Sequence, residues 1–320
     1  MPISQNPGDA NVDVRHVAIL LSDIRGFSEI AESYEASDIV AMLNRYFGAM
    51  GDLIEQYGGK IDKLMGDSIL VTFGLLESSD RDVENAIACA VEMQLAMGRL
   101  NEENKSLGMP EIYQGIGINH GNVVVGNLGS KQYSENTIIG EEVNLTARIE
   151  AHCLRGQILI SEKTLDVARD YVEVGSPNSV DVKGAKEPLQ LFEVYSVSRP
   201  RELVVPRREG RKSPRVQVDM AATFQCLSGK IILPEKIPGR IVDISYHGML
   251  MESGVRLTPL SEIKMKVSLS IFTEDTTDIF ARIVKSGEQE GKYICGMEFT
   301  FVDQAGQEAI KQLVDRLLFA

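Results

Sequence analysis

Three groups of side chains in this 320-residue chain have the types and spacing to do chemistry. Asp23, in LLSDIRGFS, follows a run of buried-strand character, and Asp67, in KLMGDSIL, falls on a tight turn. Two carboxylates at adjacent strand ends can hold Mg²⁺ ions a few ångströms apart, an arrangement suited to phosphoryl transfer. Each also has an ordinary alternative: Asp23 as a helix cap, Asp67 as a turn residue. Asn144 and Arg148, in NTIIGEEVNLTARIE, are four apart on a helix that begins after Gly140, so they share a face. Val143, Ala147 and Ile149–Ala151 form the expected packing side of that helix. Arg211 and Arg215 frame Lys-Ser-Pro as RxxxR, and a DxSxxG turn follows at Asp243, Ser245 and Gly248. Arginines in such a cluster can bind an anion.

The elements that must position these groups follow from periodicity. His16–Ser22 (HVAILLS) reads as a buried strand. Over Ser37–Tyr57, Val40, Leu43, Phe47, Met50 and Ile54 recur as a helical stripe, stopped by Gly58-Gly59. Lys60–Leu64 and Ser68–Phe73 read as a hairpin turning at Gly66-Asp67. Asp82–Asn104 is a second helix with Val83, Ile87, Val91 and Leu95 inward. Ile112–Asn119 and Asn122–Asn127 suggest a further hairpin, turning at His120-Gly121. This order predicts an α+β sandwich with helices covering one face of a mostly antiparallel sheet. Beyond Arg215, six short alternating runs predict a small β-barrel: Thr223–Leu227, Gly239–Val242, Gly248–Glu252, Lys264–Ile271, Ile279–Ser286 and Tyr293–Phe299. A helix over Gln304–Leu318 closes the chain.

Composition narrows the partners. With 43% hydrophobic and 25% charged residues the chain has the make-up of a globular protein of two domains. Its net charge of −13 opposes nucleic-acid polymers as the main ligand. The acidity is uneven, because Arg199–Arg215 carries +5 and the remainder −18. That basic island reads either as a linker, able to touch a membrane surface or RNA, or as an anion-binding lip. No apolar run approaches the roughly 18 residues of a membrane span, and MPISQNPGDANVD lacks a signal-peptide pattern. Cys89, Cys153, Cys226 and Cys295 lie far apart, which favours reduced thiols and a cytoplasmic location over disulfides or zinc.

Residues 16–197 resemble the class III nucleotidyl cyclase catalytic domain in SDIRGFS, GGKIDKLMGDSILVTFG, GINHGNVVVGNLGS, TIIGEEVNLTARIE and VKGAKEPLQLFEV. The resemblance implies a ferredoxin-like βαββαβ core, residues 1–15 being an N-terminal extension. It implies that Asp23, Asp67 and the Ile24 carbonyl hold two Mg²⁺ or Mn²⁺ ions, that Arg148 neutralises the transition-state phosphate, and that Asn144 orients the ribose. Backbone N–H groups at Gly26-Phe27 would cradle phosphates. Lys183 would either meet the triphosphate or be an exposed bystander. Lys63 offers only donors, which suits N1 of adenine, and Thr137 can accept from the 6-amino group, so the pair points to ATP. The metal half and the base-reading half of each site would come from different subunits of a head-to-tail homodimer. Ser22, Arg25 and Asn136 depart from commoner family residues.

After a linker over 198–206, residues 207–320 resemble the PilZ domain in RxxxR, DxSxxG, CGMEF and the final helix. That likeness implies cyclic di-GMP held by Arg207, Arg208, Arg211, Arg215, Asp243, Ser245 and Gly248. Together the two resemblances imply an adenylate cyclase regulated by cyclic di-GMP. The alternatives are a catalytically weak cyclase-homology module that serves as a cyclic di-GMP-responsive dimerisation protein, or a guanylyl cyclase.

Overall fold

A computed structural model describes residues 13–130, 134–180, 188–206, 213–229, 231–268, 276–289 and 291–318. The chain forms two compact units. The first contains β1 (Asp13–Ile24), α1 (Phe27–Ser33), α2 (Ala36–Gln56), β2 (Lys60–Met65), β3 (Ser68–Phe73), α3 (Asp82–Ser106), β4 (Gln114–Gly129), β5 (Ser134–Ile139), α4 (Glu141–Ala151), β6 (Ile158–Ser161), α5 (Glu162–Ala168), β7 (Val172–Val174), β8 (Asn178–Val180), β9 (Leu189–Val197) and β10 (Leu203–Val204). Its sheet runs β10-β9-β6-β4-β1-β3-β2, so the first four strands of the βαββαβ core lie in the ferredoxin-like order. Only β4 and β6 pair in parallel along that path; the other printed pairings are antiparallel.

The central strand β1 explains why this unit has two hydrophobic layers. Side chains alternate across a strand, so Ala18 and Leu20 join a core with Met42, Tyr46 and Met50 of α2 and Ile87 and Val91 of α3. Val17, Ile19 and Leu21 point the other way, to Leu70, Val123, Ile138 and Val143 of α4. Helices therefore cover both faces rather than the one expected. The second face depends on Gly117 in β4, where an added Cβ would lie 2.5 Å from the Glu150 backbone nitrogen. The missing side chain is what lets α4 lie close against the sheet.

Other expectations shift. Residues 114–129 form one strand, not a hairpin, because β1 pairs with them without interruption from Asp13↔Val125 to Ile24↔Gln114. Gly121, read as a turn, instead carries the strand through at φ 151°, where an added Cβ would lie 2.8 Å from Glu142 Oε1. The buried stripe of α2 is Ile39, Met42, Tyr46, Met50 and Ile54, while Val40 is 57% exposed. The stripe runs through Tyr46 because its hydroxyl has buried partners: it donates to Gln114 Oε1 at 2.9 Å and sits 3.3 Å from Ser22 Oγ. Val83, Ile87 and Val91 of α3 are buried as expected, whereas Leu95 is exposed. Ala147, assigned to the packing side of α4, is also exposed; Thr146, Ile149 and Glu150 are buried instead. The hairpin of β2 and β3 forms as expected around Gly66, whose φ of 65° suits glycine.

The second unit contains β11 (Arg215–Ser228), β12 (Ile231–Ile232), β13 (Ile237–Ser245), β14 (Gly248–Ser253), β15 (Glu262–Ser268), β16 (Thr276–Gln289), β17 (Lys292–Val302) and α6 (Gln304–Leu317). The order β11-β13-β14-β17-β16-β15 closes on itself where β15 pairs back to β11, from Thr223↔Lys266 to Cys226↔Ile263. This is the expected six-stranded antiparallel barrel, with β12 as a short extra strand on β11. Phe224, Ile241, Met251, Ile263 and Met297 fill it, and Ile310 and Val314 of α6 join the same core. Asp303 caps α6 by accepting from Gly306 N at 2.7 Å. No described helix is long and apolar enough to cross a membrane, and all four cysteines are free thiols.

Candidate functional site

The end of β1 and the β2–β3 turn meet. Ile24 N donates to Asp67 Oδ2 at 3.2 Å, and Ser68 Oγ donates to Asp23 Oδ1 at 2.5 Å. Asp67 lies on the β2–β3 turn, as its ordinary reading has it, while Asp23 does not cap α1, whose N-cap is Gly26. Burial pushes the Asp67 carboxyl up to about 6, and the nearby charge of Asp23 pushes in the same direction. A close pair of carboxylates suits a hard divalent cation. Among the described residues no group of three His, Cys, Asp or Glu gathers. The two carboxylates supply part of a coordination shell. That fits Mg²⁺ or Mn²⁺, which are bound through one or two carboxylates with substrate phosphates completing the shell. Beneath the pair, Ser22, Tyr46 and Gln114 form a buried hydrogen-bonded chain, and burial raises the Tyr46 hydroxyl far above its ordinary value.

Lys63 and Thr137 also converge, although 74 positions separate them in sequence. Thr137 Oγ1 donates to Asp62 Oδ2 at 2.9 Å, and Lys63 Nζ lies 3.7 Å from the same oxygen. Lys63 Nζ also lies 3.4 Å from Glu135 Oε1, on the strand of Thr137. Asp62 marks an irregularity in the β2–β3 ladder, since the register jumps between Ile61↔Val71 and Lys63↔Leu70. A bulge leaves one residue without a partner and re-aims neighbouring side chains. Regular alternation would send Asp62 and Lys63 to opposite faces; here both reach β5. Neither Asp62 nor Glu135 was singled out from sequence. The available signal was an acid beside Lys63 in a short β-run, but the bulge that gives it meaning is invisible there.

Asn144 and Arg148 sit one turn apart on α4, Asn144 exposed and Arg148 partly so. Neither side chain makes a hydrogen bond or ion pair with a described residue, and within the chain neither joins the aspartate pair or the Lys63 cluster. The underside of α4 is held by Arg25, which donates to the Glu150 carbonyl at 2.9 Å and pairs with the Glu150 carboxylate. Gly26 adopts φ 75° at the start of α1, while Phe27 packs against the core. Lys183 lies outside the described residues.

In the barrel, Arg207, Arg208 and Arg211 also lie outside the described residues. Arg215 Nη1 stands 3.4 Å and 3.3 Å from the two Asp243 carboxylate oxygens. Ser245 Oγ donates to the Gly248 carbonyl at 3.0 Å, which closes the DxSxxG turn. A side chain at Gly248 would come within 2.3 Å of the Met297 carbonyl, so strand packing alone demands glycine there. The turn is braced by His247, whose Nδ1 is 3.1 Å from Ser213 Oγ, and by Tyr246, whose hydroxyl donates to Asp315 of α6.

An α+β unit whose mostly antiparallel sheet is covered by helices on both faces, with strands in this order, points to a class. Residues 11–196 match the model of the adenylate and guanylate cyclase catalytic domain, and residues 209–316 match the PilZ domain. The chain belongs to the adenylate and guanylate cyclase catalytic domain family and carries a PilZ domain after it. Among relatives, an adenylate cyclase of Anabaena cylindrica is 34% identical over 201 residues, covering 58% of this chain and 39% of that protein. The chain thus spans well under half the length of such relatives. Among solved structures, the guanylyl cyclase Cya2 is 44% identical with a TM-score of 0.59, covering 61% of this chain and 98% of that one. The adenylyl cyclase CyaB from P. aeruginosa is 33% identical with a TM-score of 0.57, covering 59% and 97%. Both base specificities occur among these neighbours, so overall likeness does not choose between them.

Proposed function

We propose that the protein converts ATP to cyclic AMP and pyrophosphate as a homodimer, under the control of cyclic di-GMP. The observation that carries the choice of ATP is the convergence of Lys63 and Thr137 at one point of the first unit. Lys63 donates to an acceptor such as N1 of adenine, and Thr137 accepts from a donor such as the 6-amino group. Asp23, Asp67 and the Ile24 carbonyl would hold two divalent cations, which supply activation of the ribose 3′-hydroxyl and charge neutralisation on the triphosphate. Arg148 meets charge that grows on the α-phosphate, where a planar cation with several donors is apt. Asn144 orients the ribose, and the amides at Gly26-Phe27 receive phosphate oxygens; Lys183 stands as a further phosphate contact. The side chains of Asn144 and Arg148, which make no hydrogen bond or ion pair with a described residue, suit a site completed across a two-fold dimer.

In the second unit, Arg207, Arg208, Arg211 and Arg215 grip the phosphates and purines of cyclic di-GMP, and Asp243, Ser245 and Gly248 form the floor. Binding there changes the cyclase rate by altering the segment that follows β9. Free thiols accord with a cytoplasmic setting. Purified enzyme assayed side by side with ATP and GTP, with and without cyclic di-GMP, tests the whole reading. Preferred ATP turnover that responds to the dinucleotide is expected; equal rates at saturating dinucleotide would sink the regulatory half.

A second reading, GTP as substrate, is favoured by the 44% identity to a guanylyl cyclase and by Glu135, whose carboxylate beside Lys63 could accept from a guanine N1–H. A higher kcat/KM for GTP in the same assay would establish it.

A further inference from the structure

Asp62 faces both residues that read the base, and its surroundings constrain what it can do. Its side chain is 4% exposed, and Thr137 is 3% exposed. Water is therefore excluded from setting the direction of the Thr137 hydroxyl. A hydroxyl has one proton and two lone pairs, whereas a carboxylate only accepts. At 2.9 Å the Thr137 proton is committed to Asp62 Oδ2, which leaves Thr137 with lone pairs alone for any other partner. The arrangement is built rather than incidental, because the irregularity at Asp62 aims it and Lys63 at the same strand.

We propose that Asp62 is a specificity-determining positioning residue: it fixes the Thr137 hydroxyl as an acceptor and thereby selects a 6-amino over a 6-oxo purine. The inference rests on the ATP reading above. A 6-oxo base would set its oxygen against the Thr137 lone pairs, and a site whose buried polar group is left unpaired rejects such a substrate strongly. The same carboxylate attracts Lys63 and keeps its ammonium beside Thr137, so the donor and the acceptor are spaced as one unit.

The test replaces the acceptor-only group by one that can also donate. In Asp62→Asn the amide N–H can donate to Thr137 Oγ1, which releases the hydroxyl proton toward the base. The expected result is at least a tenfold fall in the ratio of kcat/KM for ATP to that for GTP or inosine triphosphate, about 1.4 kcal/mol. Asp62→Glu, still acceptor-only, keeps the ATP preference even where its rates drop. In a Thr137→Val background, Asp62→Asn produces no further change in the ratio, because the hydroxyl it acts through is gone. A purely structural role would slow all three substrates in parallel and leave the ratio in place, and that outcome overturns the inference. Should Asp62→Asn not fold, loss of the ATP preference in well-folded Asp62→Glu overturns it equally. A wild-type enzyme that prefers GTP removes the ATP reading itself. A wild type that prefers ATP beside an Asp62→Asn variant of unchanged ratio removes only the role of Asp62.

Discussion

The two candidate sites of this chain are built on opposite plans. In the first unit the Lys63–Thr137 and aspartate clusters are tied into the fold: Asp67 to the Ile24 amide, Asp23 to Ser68, Thr137 to Asp62. In the second unit the one described arginine of its cluster is engaged by Asp243 at 3.3 Å, and a dinucleotide bound there as proposed would compete with that carboxylate. The difference suits the two proposed tasks. Catalysis gains from groups held in place, since a displacement of about 1 Å can cost on the order of a hundredfold in rate. A sensor gains from a contact that exchanges, because a ligand shifts an equilibrium only by its differential affinity for two states.

Variants can break or sharpen this contrast. The largest effect is expected from Asp23→Ala, with cyclase turnover down about a thousandfold, in the range of lost charge stabilisation at a preorganised site; cyclic di-GMP titration of the same variant should match wild type. If dinucleotide affinity falls too, the two plans are not separate. Next is Arg25→Met, which leaves the Glu150 carboxylate buried without its cation. It should lower the stability of the first unit by about 3 kcal/mol, read as a shifted denaturation transition with the barrel's transition in place. Arg215→Ala should weaken cyclic di-GMP binding about tenfold by calorimetry, the scale of one charged hydrogen bond; an unchanged affinity would mean that the ion pair with Asp243 is only structural. Tyr246→Phe removes the hydroxyl that reaches Asp315 and should cost about 1 kcal/mol of barrel stability. The smallest effect concerns His120, whose imidazole is held below its ordinary value by burial, then by Lys163 and His16. As pH falls through about 6.5, the unfolded chain takes up a proton that the native imidazole resists, so this residue makes the first unit less stable toward acid. Imidazole NMR should place the His120 midpoint below that of a free histidine.

The sequence carried most of the architecture where hydrophobic period and turn residues agreed. The hairpin at Gly66, α6 and most barrel strands fall within a few residues of where the pattern puts them; β11 begins at Arg215, eight residues before the expected run at Thr223, and residues 269–271 of the fourth expected run lie outside the described residues. It failed where tertiary demands reused a local cue. Gly121 looks like a turn, yet its want of a side chain serves a close approach to Glu142 inside an unbroken strand. Tyr46 looks like an interruption in an apolar stripe, yet its hydroxyl is satisfied by Ser22 and Gln114. At the candidate site, the sequence motifs singled out Asp23, Asp67, Lys63 and Thr137, and the structure brings each pair together. Asp62 was not singled out, because its importance comes from a register irregularity that only strand pairing reveals. The arginines 207, 208 and 211 remain a reading of sequence alone.

The ring made by β11, β13, β14, β17, β16 and β15 has a consequence for how such a chain can arise. An open sheet presents unpaired amides and carbonyls that recruit foreign strands, and full closure abolishes those edges. Here the pairing of Thr223–Cys226 with Ile263–Lys266 seals the circuit with the unit's own strands. A module that needs no neighbour to satisfy its backbone can be spliced behind an unrelated enzyme without creating an adhesive rim. Portability of this kind lets a self-contained barrel be joined to a fold with which it shares no strand.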